Sequence, residues 1–469
     1  MGKFKIRGEK MEKIIKEENP FGYKPVGKLL ASMAIPAVVA NLVNALYNIV
    51  DQIFIGQGVG YLGNAATNIA FPITTICLAI GLMMGIGSAA NFNLELGRKN
   101  IDRAREVAGT AAGTLVIIGI LLWITILIFL KPMMISFGAT EKILDYAIEY
   151  TGITSFGVPF LLFSIGANPL VRADGSPKYS MMAIVVGAIL NTVLDPVFMF
   201  VFNMGIAGAA WATVISEIVS ALLLAYYFTR FKTVKFQMKD FIPKWRFVKV
   251  IVSLGIASFI FQFSTTIIQI TTNNLLKTYG SASVYGSDIP IAVAGIVAKI
   301  NVIFIAIVIG IVQGGQPIFG YNYGAKNYRR VRETMKVLLK VTLFLSTVTF
   351  IIFQSFPVQI ISIFGSGSEL YFKYGTKYMR VFLFFIFLNG IQAAITMFLT
   401  SIGRASKGAF LSLVRQIISL LPLLIILPNF MGVDGIMFAF PIADFMAFVV
   451  SVIVLKGEMK NIPKVNEDD

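Results

Sequence analysis

The chain has 469 residues, of which 57% are hydrophobic and 14% charged, and its net charge is +16. Soluble domains are nearer a quarter charged, so this composition indicates a membrane protein. The chain has no histidine and one cysteine, Cys77, which excludes an internal disulfide and leaves proton chemistry to Asp and Glu.

Twelve apolar segments are long enough to cross a bilayer as helices, which takes about 20 apolar residues. They begin near residues 29, 65, 107, 146, 178, 205, 249, 290, 335, 378, 408 and 433. We therefore expect an all-α polytopic membrane protein. Most of the 40 Lys and Arg residues fall in alternate connecting segments, a pattern that predicts cytoplasmic termini and explains the basic charge without nucleic acid.

The first span carries a stripe of polar residues. Asn41, Asn44, Asn48 and Asp51 are three or four residues apart, so they share one helix face. Polar groups are costly against lipid, and the stripe is predicted to face the bundle interior or a wet cavity. Hydrogen bonding between packed helices is the alternative for the three amides, and it explains Asp51 less well.

The end of the second span recurs later in the chain. GSAANFNLELGRKNIDRAREVAG, from Gly87, resembles GGQPIFGYNYGAKNYRRVRETMK, from Gly314, position by position. Six spans separate the two copies, so the repeat is parallel. It predicts two six-helix bundles related by a pseudo-twofold axis along the membrane normal, which is the architecture of an alternating-access transporter.

The fifth span contains ILNTVLDPVFMF, in which Asn191 and Asp195 lie one helical turn apart. An amide oxygen and a carboxylate at this spacing can meet one small cation, and Pro196 leaves a further carbonyl without its helical donor. The equivalent stretch of the second half, SLLPLLIIL, has no acid. The pattern predicts a proton or cation site confined to the first half, with a paired and inert Asp195 as the alternative.

The seventh span repeats the polar stripe without its acid. Gln262 and Gln269, together with two threonines, repeat the spacing of the first stripe. Lys299 and Arg415, further along this half, are predicted to be buried cations. They would pair with an acid or with carbonyl groups, or else bias the second half against cations or contact an anionic headgroup.

Three motifs occur in order along the first half: YNIVDQIFIG, NPLVRADGSPKYSMM with NTVLDPVF, and GIAGAAWAT. In these motifs, and across all twelve spans, the chain resembles the multidrug and toxic compound extrusion (MATE) family, near its bacterial DinF/MepA-like branch. The resemblance implies efflux of lipophilic, cationic drugs by alternating access, in exchange for H⁺ or Na⁺. It implies no cofactor other than Na⁺ as a coupling ion.

The resemblance also assigns residues to a site. The coupling site that it implies consists of Asp51, Asn191, Asp195 and Thr213. The residues expected to line the cavity or to bind substrate are Asn41, Asn44, Asn48, Asn168, Glu217, Gln262 and Gln269. Glu217 stands one turn after Thr213 and could join the coupling site. Its repeat counterpart Asp444 favours a structural role shared by both halves. Spans seven and ten lack the acids that some relatives have there, so we do not expect a second cation site.

The expected organisation has five parts. These are a cytoplasmic segment at 1–28, an N-lobe at 29–229, a cytoplasmic linker at 230–248, a C-lobe at 249–456 and a cytoplasmic tail at 457–469. We expect a monomer in the plasma membrane that contacts lipid and small amphipathic substrates, and not an enzyme, because the sequence has no evident catalytic constellation. Export of a lipid-linked or other anionic amphipathic cargo by the same fold is the main alternative.

Overall fold

The computed structural model describes residues 19–286, 288–363 and 368–463. Within these ranges the chain is predominantly helical, and none of their residues forms a β-strand. Eleven of the described helices are long and apolar enough to cross a bilayer, and a bent pair of shorter helices makes a twelfth span. The predicted all-α fold with twelve membrane helices is confirmed.

We number the spans α1 to α12 in chain order. They are α1 (Val26–Gly58), α2 (Tyr61–Gly97), α3 (Ile101–Ser136), α4 (Glu141–Ser155 with Val158–Ala173), α5 (Pro177–Val201), α6 (Gly205–Phe228), α7 (Trp245–Ser281), α8 (Asp288–Gly324), α9 (Tyr328–Ser355), α10 (Glu369–Ser401), α11 (Ala405–Met431) and α12 (Val433–Asn461). Short helices also occur at Pro20–Tyr23, Met238–Phe241 and Pro357–Ser362. Every predicted starting position falls inside the corresponding span.

Three spans, α4, α5 and α11, depart from a regular α-helix. The two halves of α4 are bent by 55°, with Gly157 between them. α5 widens into π-helical turns over Val197–Val201 directly after Pro196, and α11 does so over Val414–Leu420. Proline removes a backbone donor and disturbs the helical ladder, and π-turns inside α-helices often occur at functional sites.

The buried apolar side chains form two main cores, one for each half of the chain. α2 to α6 supply most of the N-lobe core, and α8 to α12 supply most of the C-lobe core. The first turns of α1, including Leu29, pack in the C-lobe core, whereas the first turns of α7, including Phe247, pack in the N-lobe core. The lobes are predicted at 29–229 and 249–456, but the first turns of α1 and of α7 each pack against the core of the opposite lobe.

The lobes approach each other most closely at repeated glycines. A Cβ atom on Gly97 would lie 2.0 Å from the carbonyl oxygen of Tyr321, and one on Gly324 would lie 2.2 Å from that of Leu94. Leu94 corresponds to Tyr321 in the sequence repeat, just as Gly97 corresponds to Gly324, so the contact is symmetrical. Such an arrangement is what a twofold relation between two bundles produces.

The turns that follow α2 and α8 are also copies of one another. Lys99 has a φ of 63° and Lys326 a φ of 60°, a left-handed conformation that side chains other than glycine rarely adopt. Each lysine is followed by an asparagine, Asn100 or Asn327, directly before the next helix. The sequence repeat is thus a repeat of backbone structure.

The segment between the lobes is packed rather than free. α6 ends at Phe228 and α7 begins at Trp245, before the predicted start at residue 249. Lys244 Nζ lies 2.6 Å from Glu106 Oε1, and a Cβ atom on Gly113 would lie 1.8 Å from the Phe241 carbonyl oxygen. The linker is therefore held against α3 of the N-lobe.

The two terminal segments are described only in part. α12 continues to Asn461, so the beginning of the predicted tail at 457–469 is helical. Residues 1–18 of the predicted N-terminal segment, and residues 464–469 of the tail, lie outside the described residues.

Candidate functional site

The four residues predicted to form the coupling site come together where α1, α5 and α6 meet. Asn191 Nδ2 donates to Asp195 Oδ1 at 3.3 Å and lies 3.4 Å from Thr213 Oγ1. The Asp51 carboxyl group is within hydrogen-bonding reach of Asp195. Asp51, Asn191 and Asp195 are buried, with exposed fractions of 8%, 2% and 0%. Helical spacing places Asn191 beside Asp195, and packing of α1 and α6 on α5 adds the other two residues.

Three oxygen atoms of this cluster are buried without a hydrogen-bond donor among the described residues. They are Asp51 Oδ1, Asn191 Oδ1 and Asp195 Oδ2. Buried polar atoms are nearly always paired, and two adjacent carboxylates repel unless a proton or a cation lies between them. The described residues contain no group of three or more His, Cys, Asp or Glu suited to a metal ion. The oxygens instead suit a proton, or a hard monovalent cation that also accepts amide and hydroxyl ligands.

Two tyrosines and a glutamine beside the acids were not predicted. Tyr47 and Tyr150 are close enough to Asp51, Asp195 and Glu217 to interact with their charges. Tyr47 precedes Asp51 by four residues, so helical periodicity places it on the same face and would have identified it. Tyr150 lies on α4, and no sequence spacing links it to the site.

Gln52 is the third of these neighbours. Its side chain reaches Asp51, and its Oε1 accepts a hydrogen bond from Thr67 Oγ1 at 3.2 Å. Gln52 follows Asp51 directly in the chain and so points away from the polar stripe on an ideal helix, which is why periodicity does not identify it.

Glu217 extends the acidic cluster toward the bend in α4. A Cβ atom on Gly157 would lie 2.0 Å from Glu217 Oε2, so the carboxylate occupies the space that a side chain at the bend would fill. The thiol of Cys77 is also near it. No hydrogen bond or ion pair of Glu217 is found within the described part of the chain. The bend in α4 and the glycine there make room for this acid.

A cavity of about 200 Å³, which we call the C-lobe cavity, is lined mainly by helices of the C-lobe. Its walls come from α2, α7, α8, α10 and α11 and include Phe261, Gln262, Phe304, Gln313, Asn389 and Arg415. Behind this wall, Asp444 Oδ1 accepts from Arg415 Nε at 2.8 Å, and Asp444 Oδ2 accepts from Asn389 Nδ2 at 3.2 Å. The C-lobe acid is therefore neutralised by a cation of the same chain.

One family model matches the chain twice, once in each half. The model, MatE, covers residues 36–197 and residues 265–425. The chain belongs to the MATE family. The double match also agrees with the internal repeat seen in the sequence and in the glycine contacts.

Relatives and solved structures support the same membership. The chain is 24% identical over 448 residues to the multidrug export protein MepA of Staphylococcus haemolyticus, covering 94% of this chain and 96% of that protein. It is 23% identical over 436 residues to MepA of Staphylococcus aureus strain MSSA476, covering 93% and 94%. The predicted MATE assignment in the MepA-like branch is confirmed.

Two solved structures have the same fold. One is the outward-facing conformation of a multidrug resistance MATE family transporter of the MOP superfamily, with a TM-score of 0.86 and 23% identity over 93% of this chain and 96% of that one. The other is a MOP superfamily transporter from Pyrococcus furiosus described as having a binding pocket of reverse polarity, with a TM-score of 0.87 and 23% identity over 95% and 98%.

The residues of the two polar stripes of this MATE transporter have different surroundings. Asn41 Nδ2 donates to the Ala306 carbonyl oxygen at 3.3 Å, so it links α1 to α8 across the lobes. Asn44 and Asn48 are exposed, and Asn48 Nδ2 donates to the Asn44 carbonyl oxygen at 2.7 Å. On α7, Gln262 lines the C-lobe cavity, whereas Gln269 is exposed. Asn41 thus follows the alternative of hydrogen bonding between helices.

Asn168 is not a cavity residue in the structure, and that prediction is corrected. Its exposed fraction is 4%, its Nδ2 donates to the Ser180 carbonyl oxygen at 3.0 Å, and its Oδ1 accepts from Ser180 Oγ at 2.8 Å and from Arg172. All its polar atoms are used within the N-lobe. Arg172 follows Asn168 by four residues on the same helix, so helical spacing could have shown that contact, whereas Ser180 comes from the next helix and no spacing indicates it.

Two expectations for the charged residues of the C-lobe have opposite outcomes. Arg415 pairs with an acid, as predicted. Lys299 is exposed, so its prediction as a buried cation is wrong.

The structural role that Glu217 and Asp444 were expected to share is also not supported, because Asp444 is ion-paired and Glu217 lies against Gly157 without such a partner among the described residues.

A large cleft of about 1310 Å³ lies at the end of the molecule that carries the linker. Its charged lining residues are Lys24, Lys99, Asp174, Lys178 and Lys232. The Asp174 carboxylate is already used, because it accepts from the backbone N–H of Lys232 at 2.7 Å and from Tyr227 Oη at 2.8 Å. The cleft therefore presents mainly positive charge.

Proposed function

We propose that this MATE transporter is a secondary active exporter, which exchanges lipophilic, cationic drugs for H⁺ or Na⁺ by alternating access. The observation that carries the proposal is the group of three unpartnered buried oxygens on Asp51, Asn191 and Asp195. The names of its MepA relatives as multidrug export proteins support the substrate class.

Competition for negative charge would couple the two fluxes. A lipophilic cation near the N-lobe is stabilised by ionised carboxylates of Asp51, Asp195 and Glu217. A proton bound to these acids, or a Na⁺ held by them, removes that attraction. Loading of the coupling ion would therefore release the drug, and release of the ion would restore drug binding, which is antiport by mutual exclusion.

α1 is suited to transmit ion binding to the contact between the lobes. Asp51 lies in its second half beside α5, whereas Ala34 and Val38 in its first half pack against Gly314 and Gly310 of α8. A change in the packing of α1 at Asp51 is thus applied to a helix that also contacts the opposite lobe. Packed interfaces of this kind switch between discrete arrangements rather than deform continuously.

The expected setting of this activity is the plasma membrane, with both termini cytoplasmic and the protein acting as a monomer. A cysteine at Asn461, in a Cys77→Ser background, should resist a membrane-impermeant thiol reagent in intact cells and react after permeabilisation. Labelling in intact cells would reverse the orientation and the direction of transport.

Export of an anionic amphipathic cargo is the second candidate, and one observation favours it. The cleft with Lys24, Lys99, Lys178 and Lys232 would attract phosphate-bearing or carboxylate-bearing compounds. Reconstituted protein should be supplied separately with ethidium and with a fluorescent anionic lipid. Transport of the lipid alone would support this candidate, and transport of ethidium would support drug export.

The coupling site is tested in proteoliposomes with a proton gradient and, separately, a sodium gradient. We expect Asp195→Asn to reduce gradient-driven ethidium efflux to the level of protein-free vesicles, because the amide keeps the shape and removes the ionisable charge. Asp145→Asn is the matched control, since it makes the same change at an exposed acid on α4. Efflux by Asp195→Asn at the wild-type rate under both gradients would place coupling elsewhere.

A further inference from the structure

Glu217 and Asp444 occupy equivalent positions of the repeat but have different partners. Asp444, with an exposed fraction of 5%, lies beside the guanidinium of Arg415, whose Nε and Nη2 are both 2.8 Å from its Oδ1. No cation holds Glu217 among the described residues. The residue that corresponds to Arg415 in the N-lobe is Ala188, so only the C-lobe has this cation.

Arg415 and Asn389 separate Asp444 from the C-lobe cavity. Both line the cavity, and both donate hydrogen bonds to the Asp444 carboxylate behind it. The Arg415 guanidinium therefore compensates the negative charge of Asp444 at the cavity wall. No Asp or Glu occurs among the described residues that line this cavity, so it presents no uncompensated negative charge.

The remaining polar atoms of the cavity are suited to uncharged donors. Gln313, with an exposed fraction of 7%, has a buried Oε1 without a donor within the described ranges, and the same is true of Asn389 Oδ1. Phe261 and Phe304 supply apolar walls. Apolar walls with amide side chains and no net charge suit a planar uncharged molecule that carries a hydrogen-bond donor.

We infer that Arg415 determines the charge selectivity of the C-lobe cavity. It acts as a tethered cation that occupies the Asp444 carboxylate, so the cavity accepts small uncharged aromatic compounds with hydrogen-bond donors and rejects cations. Stability alone is a weak explanation for the pair, because buried ion pairs are often no more stable than apolar replacements. The inference goes beyond the proposed function, because the cavity would hold uncharged compounds whereas the proposed cationic drugs lie near the N-lobe acids.

The test is ligand binding by the purified full-length protein, without transport. Phenyltrimethylammonium is the cationic probe and indole the uncharged N–H probe, and both are small enough for a cavity of this size. In an Asp51→Asn/Asp195→Asn/Glu217→Gln background, which removes the N-lobe acids, calorimetry should detect indole and little phenyltrimethylammonium. Adding Arg415→Gln should increase the affinity for phenyltrimethylammonium about tenfold or more, because Asp444 becomes the charge that faces the cavity.

Two controls assign the effect to charge. Arg415→Lys keeps the cation and should give no increase, and Arg415→Gln/Asp444→Asn should abolish it. No gain in Arg415→Gln, or a gain that persists in the double variant, would overturn the inference. Asp444→Asn should reverse the charge preference of the cavity. The unpaired Arg415 should then bind benzoate at least about tenfold more tightly than the protein that retains Asp444.

The folded state of each variant is checked by size-exclusion chromatography. If both single variants aggregate and the double variant remains folded, the pair serves stability and the inference is wrong. The proposed function fails by a different result, namely absence of cation-driven ethidium efflux by the wild-type protein, which leaves the binding comparison intact.

Discussion

In the N-lobe, Asp51 and Asp195 lie together, Glu217 lies near the same two tyrosines, and no cation of the described chain pairs with any of these acids. In the C-lobe, the single equivalent acid, Asp444, is bound by Arg415 and Asn389. The two lobes repeat the turns at Lys99 and Lys326 and the contacts at Gly97 and Gly324, yet the acids of one lobe have no cationic partner in the described chain and the acid of the other is ion-paired. A duplicated fold can therefore keep unpaired buried acids in one copy and an ion-paired acid at the equivalent position of the other.

We expect the largest change in transport rate when Asp51 is replaced by the residue that stands at the equivalent position of the C-lobe. Thr272 occupies the position in the α7 stripe that Asp51 occupies in the α1 stripe. We expect Asp51→Thr to reduce gradient-driven efflux in proteoliposomes to background, because the ionisable group is lost. Thr272→Val should retain at least about half of the wild-type rate, since the Thr272 hydroxyl carries no charge and has no hydrogen-bond partner among the described residues. Equal losses in both variants would show that the lobes are not specialised as described.

The second comparison concerns the acids at the repeated position. Asp444→Asn should lower the free energy of unfolding by about 1–3 kcal/mol, because Arg415 loses the carboxylate that accepts its hydrogen bonds. Glu217→Gln should change it much less, since no ion pair of Glu217 is broken, and should reduce transport only in part. Thermal unfolding in detergent measures the first effect and vesicle efflux the second. A larger stability loss in Glu217→Gln would contradict the assignment of these two environments.

A third experiment tests where the lobes are alike. Gly97→Ala and Gly324→Ala should each destabilise the contact between the lobes by about 1–3 kcal/mol, the usual effect of overpacking. Their added Cβ atoms would meet backbone carbonyls at 2.0 Å and 2.2 Å. The two losses in thermal stability should be similar in size. Gly27→Ala is the control, because a Cβ atom there has no neighbour within 4 Å.

The smallest effect is expected at the bend of α4. Gly157→Ala would place a Cβ atom 2.0 Å from Glu217 Oε2, and the carboxylate would have to move. We expect a loss of about 1 kcal/mol or slightly more in the free energy of unfolding. Glu217→Asp shortens the side chain and should recover most of the loss in the double variant. No recovery would indicate that the backbone at the bend, rather than the acid, opposes the substitution.

The sequence by itself determined the membrane class, the number of spans, the parallel repeat and the proximity of Asn191 to Asp195. These features follow from local rules, namely apolar length, periodicity on one helix and recurrence at a fixed offset. Asn191 and Asp195 are neighbours on any α-helix, and the Gly97 and Gly324 motifs can be aligned without coordinates.

Tertiary structure decided which polar residues were already paired and which remained free. Ser180 of the next helix uses the side chain of Asn168, and Lys299 is exposed whereas Arg415 is paired with Asp444, a difference that their sequence contexts do not show. Glu217 and Asp444 are aligned by the repeat, but their partners come from other helices. Partners of this kind depend on the packing of distant segments, whose contacts leave no fixed spacing in the chain.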